Sequence, residues 1–165
     1  MSTTYPIRPI TLAYPASGAA GQFGHGPEEA SMTFKRGAVL IVDATTREIE
    51  ESGADPANYL VVGIASADAS ATAGTDVMFH EAWGNVFMGQ LLTDDDDDAD
   101  DQLAAADRYT PYGMVKDSGT SFWHVDKGDT SNLMVLVTRL VDDVGTNNGR
   151  VLFRFTANIM MTNAA

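Results

Sequence analysis

The chain has 165 residues, 44% of them hydrophobic and 20% charged, with 10 Lys and Arg against 23 Asp and Glu, a formal net charge of -13 and no cysteine. That is enough apolar chain for one domain with a real core, and it excludes disulfides, thiolate zinc sites and cysteine nucleophiles. The acidic balance also disfavours a direct grip on nucleic acid, which needs a positive face to displace counterions from phosphate.

No apolar run approaches the roughly 20 residues that cross a bilayer, so no membrane is expected as a partner. The N-terminal residues lack a basic segment followed by an apolar stretch, so no secretory leader is expected in them. Seven of the acidic residues fall within positions 94–101, which leaves the rest of the chain only mildly acidic.

Residues 1–31 read as an extended N-terminal arm. Tyr5, Ile7, Ile10, Leu12, Tyr14 and Phe23 are threaded between Pro6, Pro9, Pro15 and Pro27 and a run rich in Gly, Ala and Ser at 16–26. Proline fixes φ and lacks an N–H, so this stretch is expected to be extended and unable to complete a ladder with its own chain. Apolar groups without a patterned place in their own domain imply a partner. Tyr5, Ile7, Ile10, Leu12 and Tyr14 are therefore the expected contacts, and removing the arm is expected to leave a folded domain.

Residues 32–165 read as that domain. Lys35-Arg36-Gly37 predicts a turn, and Ala38-Val39-Leu40-Ile41-Val42 a short β-branched strand. Positions 44–58 are polar, with Gly53 and Pro56, and predict a loop. Strands follow over 59–65, 77–83 and 85–92, with Gly84 as a turn between the last two. An Asp-rich loop occupies 93–101. Behind it, Asp101 is placed to cap a short helix over 102–107, the preceding carboxylates lying at its positive end. Strand and turn signals return over 109–125, around Asp117-Ser118-Gly119. The clearest pairing is 133–141 with 150–160: Val151, Phe153, Phe155, Ala157 and Ile159 alternate with a mostly polar set. Short strands between small-residue turns predict an all-β, mainly antiparallel fold, a small β-barrel or tulip-like sandwich with one short helix.

The groups that invite a chemical reading support none strongly. An EF-hand loop needs a glycine bend and a distal bidentate Glu, and neither follows Asp94, so the Asp run predicts a solvated loop rather than a calcium cage. His80 and Glu81 are strand neighbours and point to opposite faces. His124 and Asp126, two apart, share a face, but without a third ligand or a nucleophile they read as polar residues near a sheet edge. His25, in Gly-Gln-Phe-Gly-His-Gly, does not form a dinucleotide fingerprint. Trp83 and Trp123 lie in apolar β segments, where core or subunit packing is the expected use. No catalytic, cofactor or metal site is expected.

The order of segments resembles the capsid decoration, or cement, proteins of tailed phages. The resemblance is carried by Phe34-Lys35-Arg36-Gly37-Ala38-Val39, Val61-Val62-Gly63-Ile64-Ala65 and Ala73-Gly74-Thr75-Asp76-Val77, and then by Tyr112-Gly113-Met114-Val115-Lys116, Trp123-His124-Val125-Asp126-Lys127 and Asn148-Gly149-Arg150-Val151-Leu152. It spans most of residues 34–160, with the Asp insertion and the long C-terminal hairpin departing from the shortest members. It implies a virion structural protein on the capsid surface that bridges subunits of the major capsid protein. It further implies a homotrimer at local three-fold positions, with the arm adding backbone hydrogen bonds to the shell and Trp83 and Trp123 among the contacts. The alternative is a virion binding module, carbohydrate-recognising or calcium-stabilised.

Overall fold

The computed structural model of the chain describes residues 5–14, 23–53, 60–93 and 101–157. The expectations placed on 1–4, 15–22, 54–59, 94–100 and 158–165, including most of the Asp run and the end of the last strand, lie outside the described residues.

The protein is all-β and almost entirely antiparallel, and its C-terminal half closes into a barrel. Strand β7 (Val86–Leu92) pairs with β11 (Arg150–Phe155), β11 with β10 (Val135–Leu140), β10 with β8 (Pro111–Lys116), and β8 with β9 (Trp123–Asp126). Parallel pairing of Leu91 and Leu92 with Val125 and Asp126 brings β9 back to β7 and completes a five-stranded ring. Closure leaves these strands few free edges. The alternation of the last hairpin aims Val151, Phe153 and Phe155 at the core. There Phe87 meets Phe155 edge-on at 5.6 Å, and Phe153 meets Phe155 likewise at 6.0 Å.

The second sheet has the order β2 (Phe23–Pro27), β6 (Asp76–Glu81), β5 (Val61–Ala65), β3 (Val39–Val42) and β4 (Ile49–Glu51). It curls until its two edges touch, Glu28 bridging to Ile49. Strand β4 falls in the stretch expected to be a loop: only Ile49 of its three residues is apolar, so no run announced it. One hydrophobic core runs through both sheets. A polar clamp joins them as well. Glu51 on β4 accepts hydrogen bonds from the Trp123 indole at 3.0 Å and the Lys116 ammonium at 2.8 Å, on β9 and β8.

The arm is corrected by the structure. Strand β1 (Thr11–Tyr14) pairs antiparallel with Val86–Met88 on the part of the β7 edge that β9 leaves uncovered, and β2 pairs with β6 over its whole length. The prolines do not prevent this, because Pro9 and Pro15 flank β1 and Pro27 ends β2, so the paired segments keep the N–H groups they need. In β2 the inward positions are glycines. A Cβ at Gly24 would lie 2.3 Å from the Phe79 ring, so only a bare backbone lies this close to the sheet.

The expected helix over 102–107 contracts to a 3-10 turn at Ala105–Asp107. The carboxylate that closes this turn is that of Asp107, not Asp101. Asp101 accepts from the Thr93 backbone N–H instead of capping, and Asp107 accepts from the Ala104 N–H at 2.7 Å and the Tyr112 hydroxyl at 2.8 Å. Burial and the Asp107 carboxylate together hold the Tyr112 phenol well above its usual range.

Candidate interaction surface

Large apolar side chains left in water are the informative ones, since a monomer has no use for a cluster of them. Seven such residues are exposed among those described: Tyr14, Phe23, Met78, Trp83, Tyr109, Val141 and Val144. Chain order and strand register place the first four around the corner where β6 turns into β7, Tyr14 and Phe23 on strands paired beside it. Tyr14 ends β1 opposite Val86, and Phe23 begins β2 opposite His80. Trp83 stands in the turn that joins these two rows, three residues from each, within about 10 Å along the chain at the strand rise. Met78 shares the outer face of β6 with His80, two residues on. Exposures of 56% for Tyr14, 45% for Phe23, 54% for Met78 and 58% for Trp83 mark them as available rather than half-packed.

The corner is partly ordered by its own contacts. The Phe23 ring packs on the His80 imidazole with centroids 4.6 Å apart, and Gly84, at φ 73°, turns the chain after Trp83. Burial, and then the positive charge of Arg36, push the His80 pKa below 6.5. Its Nδ1 is buried without a hydrogen-bond partner among the described residues. On the same face His25 lies 3.6 Å from the Asp76 carboxylate.

The residues singled out as partner contacts are therefore divided. Tyr14 and Trp83 stand at the corner. Ile10 is 1% exposed and sits over Gly89 beside Phe153, and Trp123 is fully buried, so both are taken up by the protein's own core. Leu12 packs against that core, and Ile7 is half-buried. Tyr5 lies under the Arg150 guanidinium, 5.6 Å from its ring centre. Sequence reasoning passed over Phe23 and Met78. The signal was present in the period of two that sets Phe23 and His25 on one face of β2 and glycine on the other.

His124 is not at a sheet edge as expected. Strand β9 is flanked by β7 and β8, and His124 is fully buried. Asp126, on the same face, accepts from the Gly128 N–H at 2.7 Å. Asp117, whose carboxyl burial alone would raise, is held below its usual range by hydrogen bonds from Thr120 and Gly119. Among the described residues no group of three His, Asp or Glu side chains is placed to hold a metal ion.

Fold and surface together define an all-β barrel protein with an uncovered aromatic corner. Comparison with family models, with curated proteins and with solved structures finds no match.

Proposed function

We propose that the chain is a structural, assembly-binding protein, and within that class a decoration protein that stabilises an icosahedral phage shell by bridging major capsid subunits. The observation that carries the first step is the corner formed by Tyr14, Phe23, Met78 and Trp83, of which the exposed Tyr and Trp are among the residue types that dominate binding energy when desolvated. The second step, and the homotrimer with it, is supported by the strand-order resemblance.

The own-chain pairing of β1 and β2 changes the mechanism the resemblance implies. Contact is made through side chains at a rigid corner rather than by strand addition from a free arm. A shell under internal pressure gains from any apolar area buried across its subunit boundaries, about 25 cal/mol per Å² before association costs. A three-fold ring placing three such corners on neighbouring subunits multiplies a modest contact into a tight one.

The test is co-sedimentation of the purified protein with phage shells stripped of decoration protein, beside a mass measurement of the protein alone and on the shell. Saturable attachment as trimers, lost in Trp83→Ala with the fold intact, supports the reading. A monomer that ignores shells and binds sugar through the same corner would replace it with a carbohydrate-binding module.

A further inference from the structure

The first residues of the chain, Gln90 and the turn before β3 together build a cleft of about 370 Å³, lined by Arg8, Arg36 and Arg150 with Tyr5, Gln90 and Met88 among its walls. In a chain where acidic residues outnumber basic ones 23 to 10, this lining holds, among the described residues, three guanidinium groups and no carboxylate. The sign of the local charge is the reverse of the sign of the molecule.

The arrangement is fixed by buried groups. Gln90, 3% exposed, accepts from the Arg8 backbone N–H at 2.7 Å and donates to the carbonyls of Pro6 at 3.0 Å and Asn148 at 2.9 Å, so one side chain fastens the first residues to the barrel. Arg36 is brought to the same place by Gly37. With φ at 88°, that glycine lets its turn abut Pro9 and Ile10, where a Cβ would fall 2.8 Å from the Ile10 nitrogen. The Arg36 backbone N–H is anchored to Asp68 at 2.8 Å, and Lys35 takes up the same carboxylate, so Arg36 keeps its charge for the cleft. Arg150 is the neutralised member: it donates to Asp142 at 2.7 and 3.0 Å and lies over Tyr5.

We propose that this cleft binds an oxyanion, the phosphate or carboxylate group of a compact ligand, with Arg8 and Arg36 supplying the charge and Arg150 and Tyr5 forming a fixed wall. Two like charges held on the rim of one cleft repel until an anion lies between them. A planar guanidinium presents paired N–H donors in the spacing that phosphate and carboxylate oxygens accept. The Met88 side gives an apolar body somewhere to rest. This inference is independent of capsid decoration, since the cleft is lined by none of Tyr14, Phe23, Met78 and Trp83.

The experiment is an amide NMR titration of the full chain at low ionic strength with inorganic phosphate, with citrate and with glucose. Saturable shifts centred on Arg8, Arg36 and Gln90 with phosphate or citrate, and none with glucose, are expected. A response to phosphate alone assigns a phosphate ligand, and one to citrate alone a carboxylate. The Arg8→Gln/Arg36→Gln double variant, both positions exposed and its fold checked by amide dispersion, should weaken binding at least about tenfold. Shifts that do not saturate by about 10 mM, or that persist unchanged in the double variant, overturn the proposal.

Discussion

In the barrel, Phe87, Phe153, Phe155 and Trp123 are buried between strands that have neighbours on both edges, whereas in the curled sheet Phe79 is buried and Phe23 and Met78, on the other face of the same pair of strands, are left in water. The two regions share a core and a chain but differ in what covers them. A ring of five strands has an interior its own side chains fill, so an aromatic placed there stabilises the fold. Strands β2 and β6 have an outer face that no described element covers, and the Phe23 ring there stays 45% exposed despite its contact with His80. The buried aromatics of the barrel thus stabilise the fold, whereas the exposed ones stand where sheet and barrel meet.

The sharpest way to break this division is to remove residues 1–31. Because β1 and β2 pair with the barrel and the sheet, and Ile10 lies in the core, the truncated chain should lose its cooperative urea transition instead of surviving as a trimmed domain. Circular dichroism through a urea titration gives the result. A native-like transition in the truncated protein would return the segment to the status of an accessory arm.

Next in size is Trp123→Ala, which opens a cavity in the barrel wall and leaves Glu51 without its indole partner. About 3–5 kcal/mol of folding stability should be lost. Glu51→Gln tests the clamp between sheet and barrel more gently. The amide still accepts from the indole, but the Lys116 ion pair, with side chains 29% and 15% exposed, is gone, and about 1–2 kcal/mol should go with it. Trp83→Ala should move stability by less than about 0.5 kcal/mol and, on the proposed decoration role, abolish attachment to the shell. If the two tryptophan substitutions cost the same in folding, the contrast between core and corner is wrong.

The two tryptophans also mark how far the sequence could be read. Each sits in an apolar, strand-like stretch, and only the glycine after Trp83 separates them locally. Trp123 begins a strand later enclosed by β7 and β8, while Trp83 precedes a glycine at positive φ and stays in the turn. The barrel strands were legible because β-branched runs and the alternation of 151–155 are local signals. The pairings of the first residues were not, since their partners lie some 50 to 75 positions away, at Asp76–His80 and Val86–Met88. The proline rule, applied correctly, forbids ladder hydrogen bonds only at the prolines themselves, and of the described prolines in residues 1–31 only Pro27, the last residue of β2, lies within a paired segment. The arginine cleft was equally hidden, its residues being drawn from positions 8, 36 and 150.

The smallest expected effect concerns His80, which lies beneath the corner and reports how well its inner side is sealed. Its pKa is held below 6.5 first by burial and then by Arg36, so the folded protein resists protonating it. Between that depressed value and 6.5 the unfolded chain binds more protons than the folded one, and stability must rise with pH across the window. The contribution is complete above about pH 6.5 and is lost as the solution is acidified through the folded value. Asp142, held low by the Arg150 guanidinium, acts in the same direction but only near and below 3.8. Glu50, raised by burial and by Glu29, opposes it above 4.5. Replacing His80 with Phe keeps a ring against Phe23 and removes the titration. Thermal melts from pH 7 to pH 5.5 should therefore fall less steeply in His80→Phe than in the wild type. Superimposable profiles would mean that water reaches the imidazole freely and that the corner is open on its inner side as well as its outer one.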